Sequence, residues 1–123
     1  MNKKKLLLAE DDELLAELLN FRLKKGGYEV HISFDGREVK EHLAEHTPDL
    51  IISDIMMPYC SGMELIDYVR EELNLNTPII IISSAGNEEN VLSAFELGAN
   101  DFITKPISPS ELLVRVQREL LKV

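Results

Sequence analysis

The sequence is poor in cysteine, in aromatic residues and in positive charge. Cys60 is the single cysteine, so no internal disulfide can form and nothing indicates an oxidising compartment. The chain has no tryptophan, and 13 Lys and Arg against 22 Asp and Glu give a net charge of −9. Nucleic acids bind to basic faces and stack on aromatic rings, so this composition argues against a direct role in nucleic-acid binding.

Long hydrophobic runs are also missing from the sequence. Residues 3–9 start like a signal peptide, with three lysines before an apolar run, but Glu10 ends that run at once. No stretch approaches the roughly 20 apolar residues of a membrane-spanning helix. We therefore expect a cytoplasmic protein with no membrane contact. Its 123 residues, 45% of them hydrophobic, predict one globular domain over residues 1–123.

Short apolar strands alternate with amphipathic helices along the chain. Residues 50–54 are an apolar run that ends on the carboxylate of Asp54, and residues 78–82 are a second apolar run, as is typical of strands covered on both faces. Residues 28–34 alternate as in a half-exposed edge strand. The first helix should span about residues 12–25. Residues that favour helix starts are Asp35, Ser61, Asn87 and Ser108. Five strand–helix units predict a doubly wound α/β fold with a five-stranded parallel sheet and five helices.

Polar residues follow four of these strands at their carboxyl ends. They are Glu10 and Asp11 after the first strand, Asp54 at the end of the third, Ser83 and Ser84 after the fourth, and Lys105 and Pro106 after the fifth. In a parallel sheet the ligand crevice lies just beyond these ends. The sequence therefore predicts a small pocket lined by carboxylates, a hydroxyl and an ammonium, with Asp54 as its first candidate residue.

The carboxylates of Glu10, Asp11 and Asp54 would repel one another in such a pocket unless a cation were present. A hard divalent ion with oxygen ligands would neutralise this repulsion, and Mg²⁺ fits best because it keeps several waters. A simpler interpretation stays open at this point. Residues 10–13 could be only an acidic helix N-terminus, which the helix dipole favours.

Asp54 could act as a nucleophile and form an acyl phosphate. Phosphoryl transfer needs charge neutralisation at three equatorial oxygens more than it needs acid–base chemistry. Besides the metal ion, the Lys105 ammonium, the Ser83 hydroxyl and the backbone N–H of Ser84 can each supply part of that neutralisation.

These motifs together resemble the receiver domain of bacterial two-component response regulators, and the resemblance covers the whole chain. It implies the flavodoxin-like strand order 2-1-3-4-5 and transfer of a phosphoryl group to Asp54 from a sensor histidine kinase or phosphotransfer protein. It implies that Mg²⁺ binds to Asp11, to Asp54 and to the backbone carbonyl of Met56, with Glu10 acting through water. Such a domain assists its own phosphorylation and dephosphorylation but is not an enzyme with a separate substrate.

The resemblance also implies a switch and a particular loop geometry. Phosphorylation would draw Ser83 inward, Phe102 would turn from an outer to an inner rotamer, and the surface of the fourth helix, fifth strand and fifth helix would change to control an output. The Lys105–Pro106 bond is expected to be cis. Residues 59–61 depart from the family pattern, since Tyr-Cys-Ser stands where Gly-x-Asp is more typical.

The first helix carries apolar residues on two faces. Ala16, Leu19 and Leu23 share one face, and Leu14, Leu18 and Phe21 fall on nearly the opposite one. Only one face can pack on the sheet, and family kinases dock on this helix. We therefore expect Leu14 and Leu18, with Pro106, to contact the phosphoryl donor. The alternative is that Phe21 simply folds over a neighbouring helix.

Two other functions fit the sequence less well. One is an interaction module of the same fold that works without phosphorylation, which the complete set of pocket residues disfavours. The other is a phosphatase of the haloacid-dehalogenase type, which needs an Asp at position 56, where this chain has Met.

Two further groups of residues are expected to lie outside the pocket. His31, His42 and His46 show no metal spacing and should lie beside the second strand and second helix, away from the pocket. Residues 87–97 contain no Lys or Arg, so the dimer of receivers fused to winged-helix factors, which uses basic residues of the fourth helix, is not expected. A weak homodimer of another kind stays open.

Overall fold

The computed structural model of the chain describes residues 3–84 and 86–122, which form a parallel sheet covered by helices on both faces. The strands are β1 (Lys5–Ala9), β2 (Glu29–Ser33), β3 (Leu50–Asp54), β4 (Ile79–Ser83) and β5 (Asp101–Thr104). The helices are α1 (Glu13–Lys25), α2 (Gly36–Glu45), α3 (Gly62–Asp67), α4 (Glu88–Leu97) and α5 (Pro109–Leu121). The strand order is β2-β1-β3-β4-β5. Fold class and strand order are confirmed.

Four helices, α2 to α5, begin directly after the capping residues that the sequence predicted. The side chains of Asp35, Ser61, Asn87 and Ser108 each accept a hydrogen bond from the backbone N–H three residues on. This bond satisfies one of the amide groups that a helix start leaves without an internal partner. At the other end of α4, Gly98 has a φ of 118°, a left-handed conformation that glycine adopts without strain.

The hydrophobic core has two layers, one on each face of the sheet. On one face, Leu7 and Ile51 pack with Val39 of α2 and with α3 and α4. On the other, Leu6 and Leu8 pack with residues of α1 and α5. Successive residues of a strand point to opposite faces, so a continuous apolar run serves both layers. All residues of β3 and β4 are buried, whereas β2 is a partly exposed edge strand, as the sequence predicted.

The end of the third helix differs from the regular helix that the sequence suggested. A π-helical segment, Tyr68–Glu72, follows α3 directly. Its wider turn places the Arg70 guanidinium against backbone carbonyl oxygens of Leu75, Thr77 and Gly98, at 2.8–3.1 Å. Because π-helical turns are rare, the three- and four-residue spacing of Ile66, Val69 and Leu73 predicts only a regular α-helix here. Arg70 thereby fixes the connection that leads into β4.

Candidate functional site

Three carboxylates meet at the carboxyl ends of β1 and β3. These strands are neighbours, with Ala9 opposite Ser53, so the residues that follow, Glu10 and Asp54, come side by side. One carboxylate oxygen from each of Glu10, Asp11 and Asp54 lies within 4.8 Å of the others. Glu10 is completely buried, Asp54 is 6% exposed and Asp11 faces solvent. The structure thus brings together all three acids that the strand ends suggested.

Lys105 lies across two of these acids. Its Nζ is 2.9 Å from Oε1 of Glu10 and 3.0 Å from Oδ2 of Asp54. The loop after β5 is held beside β4 because the backbone N–H of Lys105 donates to the carbonyl of Ser83 at 2.7 Å. The Lys105–Pro106 bond is cis, as expected from the resemblance.

Burial dominates the electrostatics of Glu10. It raises the pKa of the Glu10 carboxyl from 4.5 to about 7, a shift that hydrogen bonds from the Asp12 N–H and from Lys105 reduce and that the charge of Asp54 increases. For Lys105, burial alone would lower the pKa, but its bonds to Glu10 and Asp54 outweigh burial and raise it. The ammonium therefore stays charged between the two acids.

A hard cation fits this donor set. Glu10 Oε2 accepts a hydrogen bond from the Asp12 N–H at 3.1 Å, and Oε1 lies 2.9 Å from the Lys105 ammonium. Three carboxylates face one ammonium here, so the cluster keeps negative charge that a bound cation would neutralise. The nearby donors are carboxylates, the ligands that Mg²⁺ prefers.

Glu10 should make the metal-free protein less stable at high pH. Its folded pKa lies above its unfolded pKa, so the stability it contributes is complete below about pH 4.5 and is lost as pH rises through about 7. Replacing Glu10 with Gln removes this titration. The unfolding free energies of Glu10→Gln and wild type are compared in EDTA. As the pH rises from 5 to 8, their difference should shift by about 1–3 kcal/mol in favour of the variant.

Urea denaturation at several pH values measures this difference. Glu13→Gln is the matched control, because Glu13 is exposed in the first turn of α1 and should leave the pH dependence of wild type unchanged. Identical pH dependence in Glu10→Gln and wild type would show that Glu10 does not titrate in the folded protein as its burial requires.

The remaining pocket candidates surround Asp54. Ser83 is buried at the end of β4, and Ser84 is exposed directly after it. Met56 is 69% exposed, and its backbone N–H donates to Oδ1 of Asp54 at 3.2 Å. The loop after β3 therefore folds over the Asp54 carboxylate. Oδ1 of Asp54 accepts a hydrogen bond from this loop, and Oδ2 pairs with Lys105.

The remaining candidates lie at the margins of the pocket. Phe102 is half-buried on β5 and packs against the core layer that contains α3 and α4. Leu14, Leu18 and Pro106 are exposed and line a shallow groove beside Lys105. Phe21 is 65% exposed, so the alternative that it folds over a neighbouring helix is wrong.

Acidic residues near α5 form ion pairs within the chain. Asp101 is 2.9 Å from the Arg115 guanidinium and 3.3 Å from that of Arg118, and Glu111 also pairs with Arg115 at 3.1 Å. Each acid therefore has a basic partner on α5 of the same chain. The absence of the dimer that would use basic residues of the fourth helix stays a prediction.

The three histidines lie beside β2 and α2, where the sequence placed them, but their stacking was not predicted. The rings of His31, His42 and His46 stack on one another beside β2 and α2. Burial lowers the pKa of His42, and the neighbouring His31 and His46 lower it further. The four-residue spacing of His42 and His46 on one helix face was the available signal, whereas the position of His31 depends on how β2 lies against α2.

The chain matches known proteins along most of its length. The model of the response regulator receiver domain matches residues 6–117. The receiver domain of Francisella response regulator 1452 is 34% identical, with a TM-score of 0.91 over 96% of this chain and 97% of that one. A putative response regulator from Chloroflexus aurantiacus is also 34% identical, with a TM-score of 0.91 over 98% and 100% of the two chains.

A third match comes from a different kind of protein. The signal receiver domain of a signal transduction histidine kinase from Syntrophus aciditrophicus is 34% identical, with a TM-score of 0.85 over 95% of this chain and 89% of that one. Within the described residues, the structure contains no helix with the length and apolar character needed to cross a bilayer. The strand order, the acidic cluster and these matches show that the chain belongs to the receiver domain family of two-component response regulators.

Proposed function

We propose that the chain is a phosphoacceptor that takes a phosphoryl group on Asp54 from a sensor histidine kinase or a phosphotransfer protein. The observation that carries this proposal is the position of the Asp54 carboxylate. It is almost buried at the carboxyl end of the central strand β3, 3.0 Å from the Lys105 ammonium and beside two further acids. Receiver domains interact with such kinases and bind Mg²⁺ at an acidic pocket, and the acids of this chain form a pocket of that kind.

The pocket residues have different roles in the proposed reaction. In this proposal Asp11, Asp54 and the Met56 carbonyl hold Mg²⁺, and Glu10 contacts it through water. When bound, the ion neutralises negative charge on the phosphoryl oxygens. A carboxylate oxygen of Asp54 forms a bond to phosphorus while the bond from phosphorus to the donor's histidine nitrogen breaks, which yields an acyl phosphate and a neutral imidazole once a proton is taken up.

Three groups of the chain stabilise the transferred phosphoryl group. Lys105 already contacts Asp54, so its ammonium needs little reorganisation to pair with a phosphoryl oxygen. The hydroxyl of Ser83, the last residue of β4, and the backbone N–H of Ser84 lie at the end of the strand beside β3 and can donate to another oxygen. No separate substrate is turned over in this scheme.

Labelling of the purified chain tests the proposal. With acetyl phosphate and Mg²⁺, intact mass spectrometry should show one phosphoryl group per chain, and EDTA should prevent its addition. Hydroxylamine should remove the label, because it cleaves an acyl phosphate but leaves a phosphate ester of serine intact. A chain that takes no label under these conditions would instead support an interaction module that works without phosphorylation.

Leu14 and Leu18 should contact the donor protein. They are 72% and 53% exposed and share a groove with Pro106 next to the pocket. Exposed apolar side chains grouped beside a functional pocket indicate a partner surface. Leu14→Asp should slow phosphotransfer from the cognate kinase about tenfold or more, since it places a charge in an apolar contact.

Acetyl phosphate separates docking from chemistry, because a small donor needs no helix contact. Leu14→Asp should take phosphate from acetyl phosphate at the wild-type rate. Val114→Asp is the matched control, since Val114 is 61% exposed on α5 and should not alter either reaction. A Leu14→Asp chain that its kinase phosphorylates as fast as wild type would refute the docking surface.

Phosphorylation should change the position of Phe102. We infer that Ser83 moves toward the phosphoryl group and that Phe102 turns inward, which alters the surface of α4, β5 and α5. Shifting such an equilibrium from mostly off to mostly on takes about 5.5 kcal/mol of differential binding. NMR of the free and beryllofluoride-bound chain should report two Phe102 rotamers, and an unchanged rotamer would exclude this coupling.

A further inference from the structure

We propose that Tyr59 is a positioning residue for the acidic pocket. It lies in the loop after β3, residues 55–61, and its ring packs on Arg37 of α2, whose Cζ atom is 4.2 Å from the ring centroid. This contact holds the loop in the conformation that places the Met56 backbone beside Asp54. The role of Tyr59 rests on the function proposed for Asp54, because it concerns the assembly of the same pocket.

The backbone of Tyr59 has a conformation that a side chain disfavours. Its φ is 70°, in the left-handed region that glycine adopts freely and that residues with a Cβ adopt only at a cost in free energy. Among the described residues, Asn74 is the only other non-glycine residue with a positive φ. Asparagine tolerates this region because its short side chain can hydrogen-bond to the nearby backbone. Tyrosine cannot compensate in this way, so other contacts must hold the conformation of Tyr59.

The start of α2 holds the loop on both sides of Tyr59. The N–H of Gly36, the first residue of α2, donates to the carbonyl oxygen of Pro58 at 3.0 Å. Cys60 is buried against the same glycine, and a Cβ at Gly36 would lie only 2.6 Å from the backbone nitrogen of Cys60. Arg37 is the next residue of the helix, so its contact with the Tyr59 ring completes an attachment through three consecutive loop residues.

The contact with Arg37 is the part of this attachment that depends on the Tyr59 side chain. Tyr59 is 72% exposed, so its ring contributes little to the hydrophobic core. A guanidinium over the face of an aromatic ring is attracted by the negative charge density of that face. Loss of the ring would therefore leave the cost of the left-handed backbone and remove the contact that offsets it.

The same loop supplies backbone groups to the pocket. The Met56 N–H donates to Oδ1 of Asp54 at 3.2 Å, and in the proposed reaction the Met56 carbonyl binds Mg²⁺. The base of the loop is closed, because the N–H of Gly62 donates to the carbonyl oxygen of Ile55 at 2.9 Å. A change of backbone conformation at Tyr59 is therefore taken up by its neighbours within this closed turn, which include Met56.

Two substitutions at Tyr59 separate the effect of the ring from that of the backbone. Tyr59→Ala keeps the Cβ, and with it the cost of the left-handed conformation, but loses the contact with Arg37. Tyr59→Gly loses the ring and the backbone cost together. We therefore expect Tyr59→Ala to loosen the loop and Tyr59→Gly to keep it close to its wild-type conformation. Because Tyr59 is exposed, both variants should fold.

Amide hydrogen exchange of Met56, followed by NMR in EDTA, reports the loop without metal ion or phosphoryl group. The exchange rate should rise at least about threefold in Tyr59→Ala and in Arg37→Ala, as expected for loss of one exposed cation–π contact. It should stay within about twofold of wild type in Tyr59→Gly. Calorimetric titration with Mg²⁺ should show weaker binding in the first two variants and wild-type binding in the third.

Lys40→Ala is the matched control for the removal of a cation from α2. Lys40 is exposed on the same helix, and its Nζ lies over a different ring, 4.9 Å from the ring centroid of Tyr68. This variant loses one positive charge and one cation–π contact but keeps the contact of Tyr59 with Arg37. It should leave both the exchange rate of Met56 and the affinity for Mg²⁺ as in wild type.

The role of Tyr59 and the function proposed for Asp54 fail separately in these measurements. A wild-type chain that takes no phosphoryl label would refute the function proposed for Asp54 and would not alter the exchange of Met56 in EDTA. Three results would each overturn the positioning role of Tyr59. They are unchanged exchange in Tyr59→Ala, an equal rise in Tyr59→Gly or Lys40→Ala, and a rise in exchange without loss of Mg²⁺ affinity.

Discussion

Replacing Asp54 with Asn is expected to abolish phosphoryl labelling by acetyl phosphate completely. The amide has nearly the shape of the carboxylate, and its oxygen can still accept the hydrogen bond that the Met56 N–H donates to Asp54 at 3.2 Å. The amide is, however, a poor nucleophile and carries no charge, so no acyl phosphate forms. Because Lys105 keeps its ion pair with Glu10, the loss of label should occur in a folded chain.

Asp49→Asn is the matched control for this change. Asp49 lies just before the opposite, amino end of β3, where its side chain accepts a hydrogen bond from the Lys5 N–H at 2.7 Å. It is far from the strand ends that form the pocket, so its variant should take label as wild type does. Full labelling of Asp54→Asn, measured by intact mass spectrometry beside this control, would refute Asp54 as the acceptor.

The architecture was largely accessible from the sequence because burial and turn chemistry both leave local signals. The apolar runs of β3 and β4 need cover on two faces, and the alternation around Val30 and Ile32 marks an exposed edge. The strand order came from the family resemblance, since pattern alone does not say which strands are neighbours. The π-helical segment at Tyr68–Glu72 left no signal in the apolar spacing.

The pocket was predictable for a geometric reason, and its internal arrangement was not. Parallel strands bring their carboxyl ends to the same side of the sheet, and the strand order implied by the resemblance placed Glu10 beside Asp54, with Lys105 on the same side. The sequence could not show that Glu10 is fully buried while Asp11 is exposed, because that difference depends on how the loop after β1 packs. The histidine cluster depended likewise on the contact between β2 and α2.

Lys105→Met is expected to slow phosphorylation by acetyl phosphate about 10²–10³-fold, the loss typical for removal of one preorganised electrostatic contact. Methionine keeps an apolar stem of similar length but lacks the ammonium that lies 2.9 Å from Glu10 and 3.0 Å from Asp54. Negative charge that develops on the transferred phosphoryl group would then lack its cationic partner from the protein. The rate constant at saturating Mg²⁺ measures this effect.

The same substitution should make the pocket depend more strongly on the metal ion. Without Lys105, the buried Glu10 and the nearby Asp54 face each other without a counter-charge from the chain, which destabilises the folded state unless Mg²⁺ binds. Mg²⁺ should therefore raise the melting temperature of Lys105→Met by more than that of wild type. Lys24→Met is the matched control, because it removes an exposed lysine in the last turn of α1, away from the pocket. If Lys105→Met were phosphorylated at the rate of this control, the ammonium would have no part in stabilising the phosphoryl group.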